Sequence, residues 1–100
     1  MLKVKTGVTP KNLVIAAALA NLAHEMGLTL VITSGTDGRH GYGSLHPKGH
    51  ALDFRTKTLT DADRAAVISR LQQRLGKHYD VILEDVGNAN EHGHAEWDPK

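Results

Sequence analysis

Apolar residues recur at helical spacing in two segments of the chain. The first segment spans residues 11–26, and these apolar positions share one face of a helix: Ile15, Leu19, Leu22 and Met26. Thr9 precedes it as the expected N-cap, with Pro10 at the first helical position. Gly27 follows as a C-terminal stop. The pattern therefore predicts a helix that packs one face on a core.

The second helical segment begins after Thr60, a hydroxyl residue suited to the N-cap position. Asp61 and Asp63 then place negative charge in the first turn, where the helix dipole favours it. The apolar face comprises Ala65, Ile68, Leu71 and Leu75. Gly76 ends the segment, so the sequence predicts a second helix between Thr60 and Gly76.

Four shorter segments have the composition of β-strands. They cover residues 28–33, 50–55, 79–86 and 92–97, and a turn at residues 87–90 separates the last two. A connection of this length joins neighbouring antiparallel strands. We therefore expect one α+β domain over residues 1–100, with a small antiparallel sheet packed against the helices.

Charge and composition limit the kinds of binding partner that the sequence leads us to expect. The chain has 12 basic and 11 acidic side chains, so its formal charge of +1 gives no reason to expect a nucleic-acid partner. The N-terminal residues lack the apolar region of a signal peptide, and the longest apolar run, residues 13–20, is too short to span a bilayer. We expect a monomer that is not inserted in a membrane.

Histidine and carboxylate residues cluster around a glycine-rich segment at residues 34–48. The chain has no cysteine, so any metal must be held by imidazole and carboxylate groups. His46 and Asp53 lie seven residues apart, where the loop meets a strand. Glu91 precedes His94 by three residues. Two histidines, an aspartate and a spare glutamate are the components of a hydrolytic Zn²⁺ site.

Spacing leaves two of these assignments open. In an extended strand His92, His94 and Glu96 share one face, whereas Glu91 and His94 share a face only if the strand begins after Glu91. Either histidine can therefore be the third ligand, and either glutamate the base. Asp53 is the most informative member, because a carboxylate among Ala51, Leu52 and Phe54 is costly to bury unless it is paired or bound to metal.

The segment SLHPKGHALD, residues 44–53, resembles the Ser-x-His-x-x-Gly-x-Ala-x-Asp motif of the zinc D-alanyl-D-alanine peptidases. This family includes D-Ala-D-Ala carboxypeptidases, vancomycin-resistance dipeptidases and bacteriophage endolysins, and the hedgehog signalling domain shares its fold. EHGH, residues 91–94, is similar to the family's Glu-x-x-His motif. The resemblance covers residues 31–97 and implies a hedgehog/DD-peptidase-like fold.

The resemblance also implies roles for individual residues. The implied zinc ligands are His46, Asp53 and His94. Glu91 corresponds to the general base, and His92 and Ser44 to residues that contact the substrate. The family's arginine before the motif is replaced by Asp37, and Arg39 is the nearest candidate for its catalytic role. We add Tyr42 and Trp97 as candidates for the substrate pocket.

These observations predict a zinc metallopeptidase of the bacterial cell wall. The expected substrates are peptidoglycan stem peptides, cut as a D-Ala-D-Ala carboxypeptidase or as an L-Ala-D-Glu endopeptidase. A chain without a signal peptide would be made in the cytoplasm and reach the wall with a holin or a virion, as an endolysin does. Two alternatives are a non-catalytic zinc-containing binding module and a non-haem iron oxygenase. The sequence predicts too few strands for the double-sheet barrel of such an oxygenase, which argues against this alternative.

Overall fold

A computed structural model of the protein describes residues 1–6, 8–35 and 50–99, in which two helices and five strands form a small α+β domain. In chain order the elements are β1 (Leu2–Val4), α1 (Leu13–Met26), β2 (Leu30–Ser34), β3 (Ala51–Arg55), α2 (Asp61–Leu75), β4 (Tyr79–Glu84) and β5 (His92–Trp97). Among these described residues, neither helix is long and apolar enough to cross a membrane.

The strands form one mixed sheet with the order β1-β2-β3-β5-β4. The expectation of an antiparallel sheet holds for β2, β3, β5 and β4 but is wrong for β1, which pairs parallel to β2. The chain leaves β1, passes through α1 and returns to the sheet in the same direction, as parallel neighbours require. Because β1 has three residues, its pattern is too short to indicate a strand.

The first helix begins later than Thr9 and Pro10 suggest. Asn12 is the N-cap, and the backbone N–H of Thr9 donates to its Oδ1 at 2.8 Å. The N–H of Asn12 donates in turn to the carbonyl of Thr9 at 3.2 Å, which closes a turn before the helix. The predicted cap at Thr9 is therefore wrong, because the amide side chain holds this turn in place of a helical one. The other end agrees with the prediction, since Gly27 is the C-cap with φ 66°.

Asn12 also ties this turn to the sheet. Its side chain is fully buried, and Nδ2 donates to the carbonyl of Ala51 at 3.1 Å. Asn12→Ala leaves both that carbonyl and the Thr9 N–H without these partners, so we expect unfolding free energy to fall by about 2 kcal/mol. Urea denaturation measures the loss, and Asn12→Asp should recover only part of it because a carboxylate keeps the acceptor and lacks the donor. Unchanged stability in Asn12→Ala would contradict this role.

The second helix begins and ends where the sequence predicts. Thr60 is the N-cap, and its Oγ1 accepts a hydrogen bond from the N–H of Asp63 at 3.1 Å. The buried side of this helix differs from the predicted apolar face. Val67 and Leu71 are its buried residues, whereas Ala65 is exposed.

Both helices contribute to one hydrophobic core against one face of the sheet. The strand residues that belong to this core are Leu30, Ile32, Leu52, Phe54, Val81 and Ala95. In β3 and β5, residues alternate between this face and the opposite one. A Cβ built on Gly93 would lie 2.3 Å from Cζ of Phe54, so the ring covers the glycine directly. This close approach aligns β5 with β3.

The same alternation directs polar side chains to the face of the sheet opposite the core. In register, Asp53 lies opposite His94, Arg55 opposite His92, and Ala51 opposite Glu96. The next strand adds Glu84 opposite His92. We call this surface the open face, defined by Asp53, Arg55, Glu84, His92, His94 and Glu96. The candidate chemistry of the described residues is concentrated there.

Candidate metal centre

The pairing of β3 with β5 brings Asp53 against His94. Oδ1 of Asp53 lies 2.8 Å from Nδ1 of His94. Its other oxygen, Oδ2, accepts a hydrogen bond from Oγ of Ser34 at 3.0 Å. The side chains of Asp53 and His94 are only 16% and 10% exposed, so neither is a solvated surface group. The two residues that the sequence motifs single out in these strands are direct neighbours.

Glu96 holds the other side of the His94 ring. Its Oε1 lies 2.5 Å from Nε2 of His94. A carboxylate on the far nitrogen is the usual way in which a metal-binding imidazole is oriented. This arrangement leaves Nδ1 turned toward Asp53. The sequence leaves Glu96 open as the base, but its position against Nε2 of His94 favours orientation of that ring instead.

His92 is held in a similar way. Its Nδ1 lies 2.6 Å from the carbonyl oxygen of Asn90, and its Nε2 lies 3.0 Å from Oε1 of Glu84. Nε2 is also 3.9 Å from Oδ1 of Asp53. Both imidazoles therefore have one nitrogen fixed by an acceptor and present the other to the carboxylates of Asp53 and Glu84.

The donor atoms of three residues are close enough to one another to form a candidate metal site. Asp53, Glu84 and His92 each offer one ligand atom, and the three atoms lie within 4.8 Å of one another. Nδ1 of His94 lies 3.8 Å from Oε1 of Glu84. Tetrahedral zinc holds its donors about 3.3 Å apart, given bond lengths near 2.0–2.1 Å. Imidazole nitrogen and carboxylate oxygen are both donor types that zinc accepts.

When no metal is bound, the surroundings of His92 and His94 raise the pKa values of both imidazoles. Desolvation lowers the pKa of His94, but hydrogen bonds with Asp53 and Glu96 and the charges of Asp53 and Glu84 outweigh it, raising that pKa to about 9. The pKa of His92 is also raised, because the Asn90 carbonyl and the carboxylates of Asp53 and Glu84 outweigh desolvation. A metal ion must displace these protons, so its affinity should rise with pH.

Metal-free protein should lose stability as pH rises. Because the pKa of His94 lies above its ordinary value of 6.5, the stabilisation is full below pH 6.5 and is lost as pH rises through about 9. We expect a loss of roughly 3 kcal/mol between pH 6.5 and about pH 10, measured by urea unfolding with a chelator present. His94→Gln should flatten this dependence. An equally steep dependence in that variant would show that other groups cause it.

Glu91 lies just before β5, at a buried position with 7% exposure. Its Oε2 is 2.9 Å from Nε of Arg64 on α2 and accepts a hydrogen bond from Oγ1 of Thr56 at 3.2 Å. Its Oε1 accepts from the N–H of Gly87 at 3.2 Å. Arg64 is only 18% exposed where it meets this carboxylate. The carboxylate of Glu91 is thus fixed in position by three different segments.

A cleft of about 450 Å³ joins Glu91 to the metal-binding groups. Its lining includes Asp53, Arg55, Lys57, Glu91 and His92. The cleft also receives residues from the turn between β4 and β5. Asp53, His92 and Glu91 therefore border one cleft, and the carboxylate of Glu91 is itself buried at its edge.

The remaining predicted site residues divide into two groups. Arg39, Tyr42, Ser44 and His46 lie outside the described residues. Trp97 is described, and its ring packs near that of His50, with centroids 4.9 Å apart. By strand alternation Trp97 points away from His94, and it is not part of the cleft lining.

The sequence interpretation missed Glu84 and Arg55. Glu84 lies in a strand with apolar neighbours, and nothing in its spacing marks it as a ligand. The register of the hairpin could have identified Glu84, because pairing of the last two strands places it opposite His92. Arg55 shares a face with Asp53 through the two-residue strand period, and that pattern is visible in the sequence.

Comparison with known proteins adds no family assignment. No protein-family model matches the chain, and no curated protein matches it.

Proposed function

We propose that the protein is a zinc-dependent peptidase that hydrolyses peptidoglycan stem peptides. The observation that carries the proposal is the contact between Asp53 and His94, which are the last residues of the two family-like motifs and lie 2.8 Å apart across the sheet. Two residues that are 41 positions apart in sequence, one from each motif, thereby meet at one site. The mixed sheet with two helices on one face supports a hedgehog/DD-peptidase-like fold.

The proposed zinc ligands are Asp53 and His94 together with His46 from the segment before β3. Glu84 and His92 offer further donors on the described side of the site. When bound, zinc supplies a Lewis acid and lowers the pKa of a coordinated water to about 7. Asp53 contributes negative charge and a fixed oxygen, and Glu96 sets the ring orientation of His94.

Glu91 is the proposed general base. Its carboxylate is fixed by Arg64, Thr56 and the Gly87 N–H, and it borders the cleft that Asp53 and His92 also line. In this role it accepts a proton from the attacking water and returns it to the leaving peptide nitrogen. A carboxylate held by several partners needs little reorganisation during the reaction.

The proposed substrate class rests on the resemblance of the two motifs. Hydrolysis at terminal D-Ala-D-Ala and hydrolysis between L-Ala and D-Glu use the same chemistry on different bonds. We propose that the protein acts on the cell wall as a monomer, delivered as an endolysin is, by a holin or a virion.

The test is digestion of purified peptidoglycan by zinc-loaded protein, with the released peptides identified by mass spectrometry. New termini at one type of stem-peptide bond are expected, and their identity separates carboxypeptidase from endopeptidase action. Glu91→Gln should lower the rate at least about 100-fold while zinc content stays near one per chain. Cleavage at an undiminished rate in this variant would exclude Glu91 as the base.

Glutamine is the appropriate replacement because alanine would leave Arg64 facing an empty buried site. Removing one partner of a buried ion pair commonly costs about 3–5 kcal/mol, so an inactive Glu91→Ala variant could simply be unfolded. Urea unfolding of Glu91→Gln controls for this effect. Zinc-loaded wild-type protein that binds peptidoglycan without releasing peptides would instead indicate a non-catalytic binding module.

A further inference from the structure

Arg55 lies next to the candidate metal centre and has no partner there. It is the last residue of β3, on the open face, two residues after Asp53 and opposite His92 in register. It is partly buried and lines the cleft. Its guanidinium makes no hydrogen bond or ion pair with any residue in the described part of the chain.

Three carboxylates line the cleft: two of them, Asp53 and Glu91, are occupied by other groups, and the third, Asp85, forms no ion pair with Arg55 in the described part of the chain. Asp53 is held by Ser34 and His94. Glu91 is held by Arg64 and Thr56. The guanidinium of Arg55 therefore keeps its donors available toward the cleft, although it lies in an acidic neighbourhood. A partly desolvated arginine in this position is suited to bidentate pairing with a carboxylate.

A second cation lines the same cleft. Lys57 follows β3, and its Nζ donates to the carbonyl of Ala89 at 3.1 Å. This bond fixes the ammonium group at the side of the cleft formed by the turn before β5. An ammonium carries three donors, so two are left for a ligand. Arg55 and Lys57 are the two cations among the described residues that line the cleft, beside the metal-binding groups.

We propose that Arg55, supported by Lys57, binds a free carboxylate of the peptide substrate. The inference rests on the proposed function and adds a substrate requirement: a peptide with an acidic group near the bond that is cut. Such a group would hold the peptide across the cleft, with its backbone next to Asp53 and His92. Peptidoglycan stem peptides carry carboxylates of this kind on D-Glu and at the C-terminus.

Paired variants of the protein and of the peptide test this inference. The probe is the stem tetrapeptide L-Ala-γ-D-Glu-L-Lys-D-Ala, compared with the same peptide in which both carboxylates are amidated. Binding is measured by calorimetry with zinc-loaded protein in the Glu91→Gln background, and mass spectrometry confirms that the peptide stays intact. Amidation should weaken binding about tenfold when Arg55 is present and much less in Arg55→Gln. Arg55→Lys should retain part of the preference.

Arg70→Gln is the matched control, because it removes the same charge from an exposed position on α2 that does not line the cleft. This variant should keep the full tenfold preference. A preference that survives Arg55→Gln would assign the carboxylate to the metal and overturn the inference. Equal affinity of the parent protein for the two peptides, or no measurable binding of either, would overturn it as well.

The two proposals fail in different ways. If zinc-loaded wild-type protein cuts neither peptide nor peptidoglycan while the Arg55-dependent preference is present, the peptidase proposal is wrong and the carboxylate site stands. If it cuts both peptides at equal rates and Arg55→Gln changes nothing, the carboxylate site is wrong and the peptidase proposal stands.

Discussion

Replacing Asp53 with alanine is expected to weaken zinc binding by at least about 100-fold and to abolish peptide hydrolysis. Loss of a residue that only supports a ligand typically weakens binding 10–100-fold, and Asp53 is proposed to be a ligand itself. It belongs both to the set with His46 and His94 and to the set with Glu84 and His92. Its removal therefore affects the site whichever set binds the ion.

Zinc affinity is measured by competition with a chromogenic chelator, and zinc content by mass spectrometry of the dialysed protein. Glu25→Gln serves as the control, because it removes a carboxylate that pairs with Arg74 on the helical side of the protein. This variant should bind zinc like the wild type. Wild-type affinity in Asp53→Ala would contradict the proposed site.

Gly93→Ala is expected to destabilise the protein by about 3 kcal/mol, one of the largest effects of a single methyl group in this chain. The added Cβ would lie 2.3 Å from Cζ and 2.4 Å from Cε2 of Phe54, and that ring is fully buried. The ring cannot move outward without displacing the core, so the strand or the ring must shift. Urea denaturation measures the change.

Gly27→Ala provides the matched comparison. A Cβ at that position meets nothing within 4 Å, so its cost comes only from φ 66° and should be about 1 kcal/mol. Phe54→Leu combined with Gly93→Ala should lose less stability than the two single changes added together, because the smaller side chain makes room. If Gly93→Ala costs no more than Gly27→Ala, the tight contact is not a determinant of stability.

Much of the secondary structure could be predicted from the sequence. The helix after Thr60 and the strand at residues 92–97 agree with the structure because both have a capping residue or a turn at the boundary and a regular pattern between. The strand β1 could not be predicted, since its three residues gain strand geometry only by pairing with β2. The turn before α1 depends on a contact between Asn12 and Ala51, which are distant in sequence.

The site was predictable to a smaller extent. The motifs correctly place Asp53 and His94 in strands. The strand that contains His94 begins after Glu91, and the carboxylate of Glu91 contacts Arg64 of α2, not His94. The contact of Glu91 with Arg64 could not be foreseen, because it depends on how α2 packs against the sheet. The roles of Arg39, Tyr42, Ser44 and His46 stay predictions.

The exposure of Asp53 argues against a solvated residue on a surface strand. An outward aspartate on a surface strand would be well solvated, whereas this side chain is 16% exposed and contacts Ser34 and His94. Burial of a carboxylate beside two imidazoles and a second carboxylate is unfavourable without compensating charge. The proton on His94, whose pKa is raised to about 9, supplies that charge in metal-free protein, and a metal ion would supply it in its place.

The most direct test of the metal site is anomalous diffraction at the zinc absorption edge from crystals of the zinc-loaded protein. The account predicts one strong peak on the open face, within bonding distance of a carboxylate oxygen of Asp53 and a ring nitrogen of His94. Zinc bound by neither residue, or no peak on this face of the sheet, would contradict it.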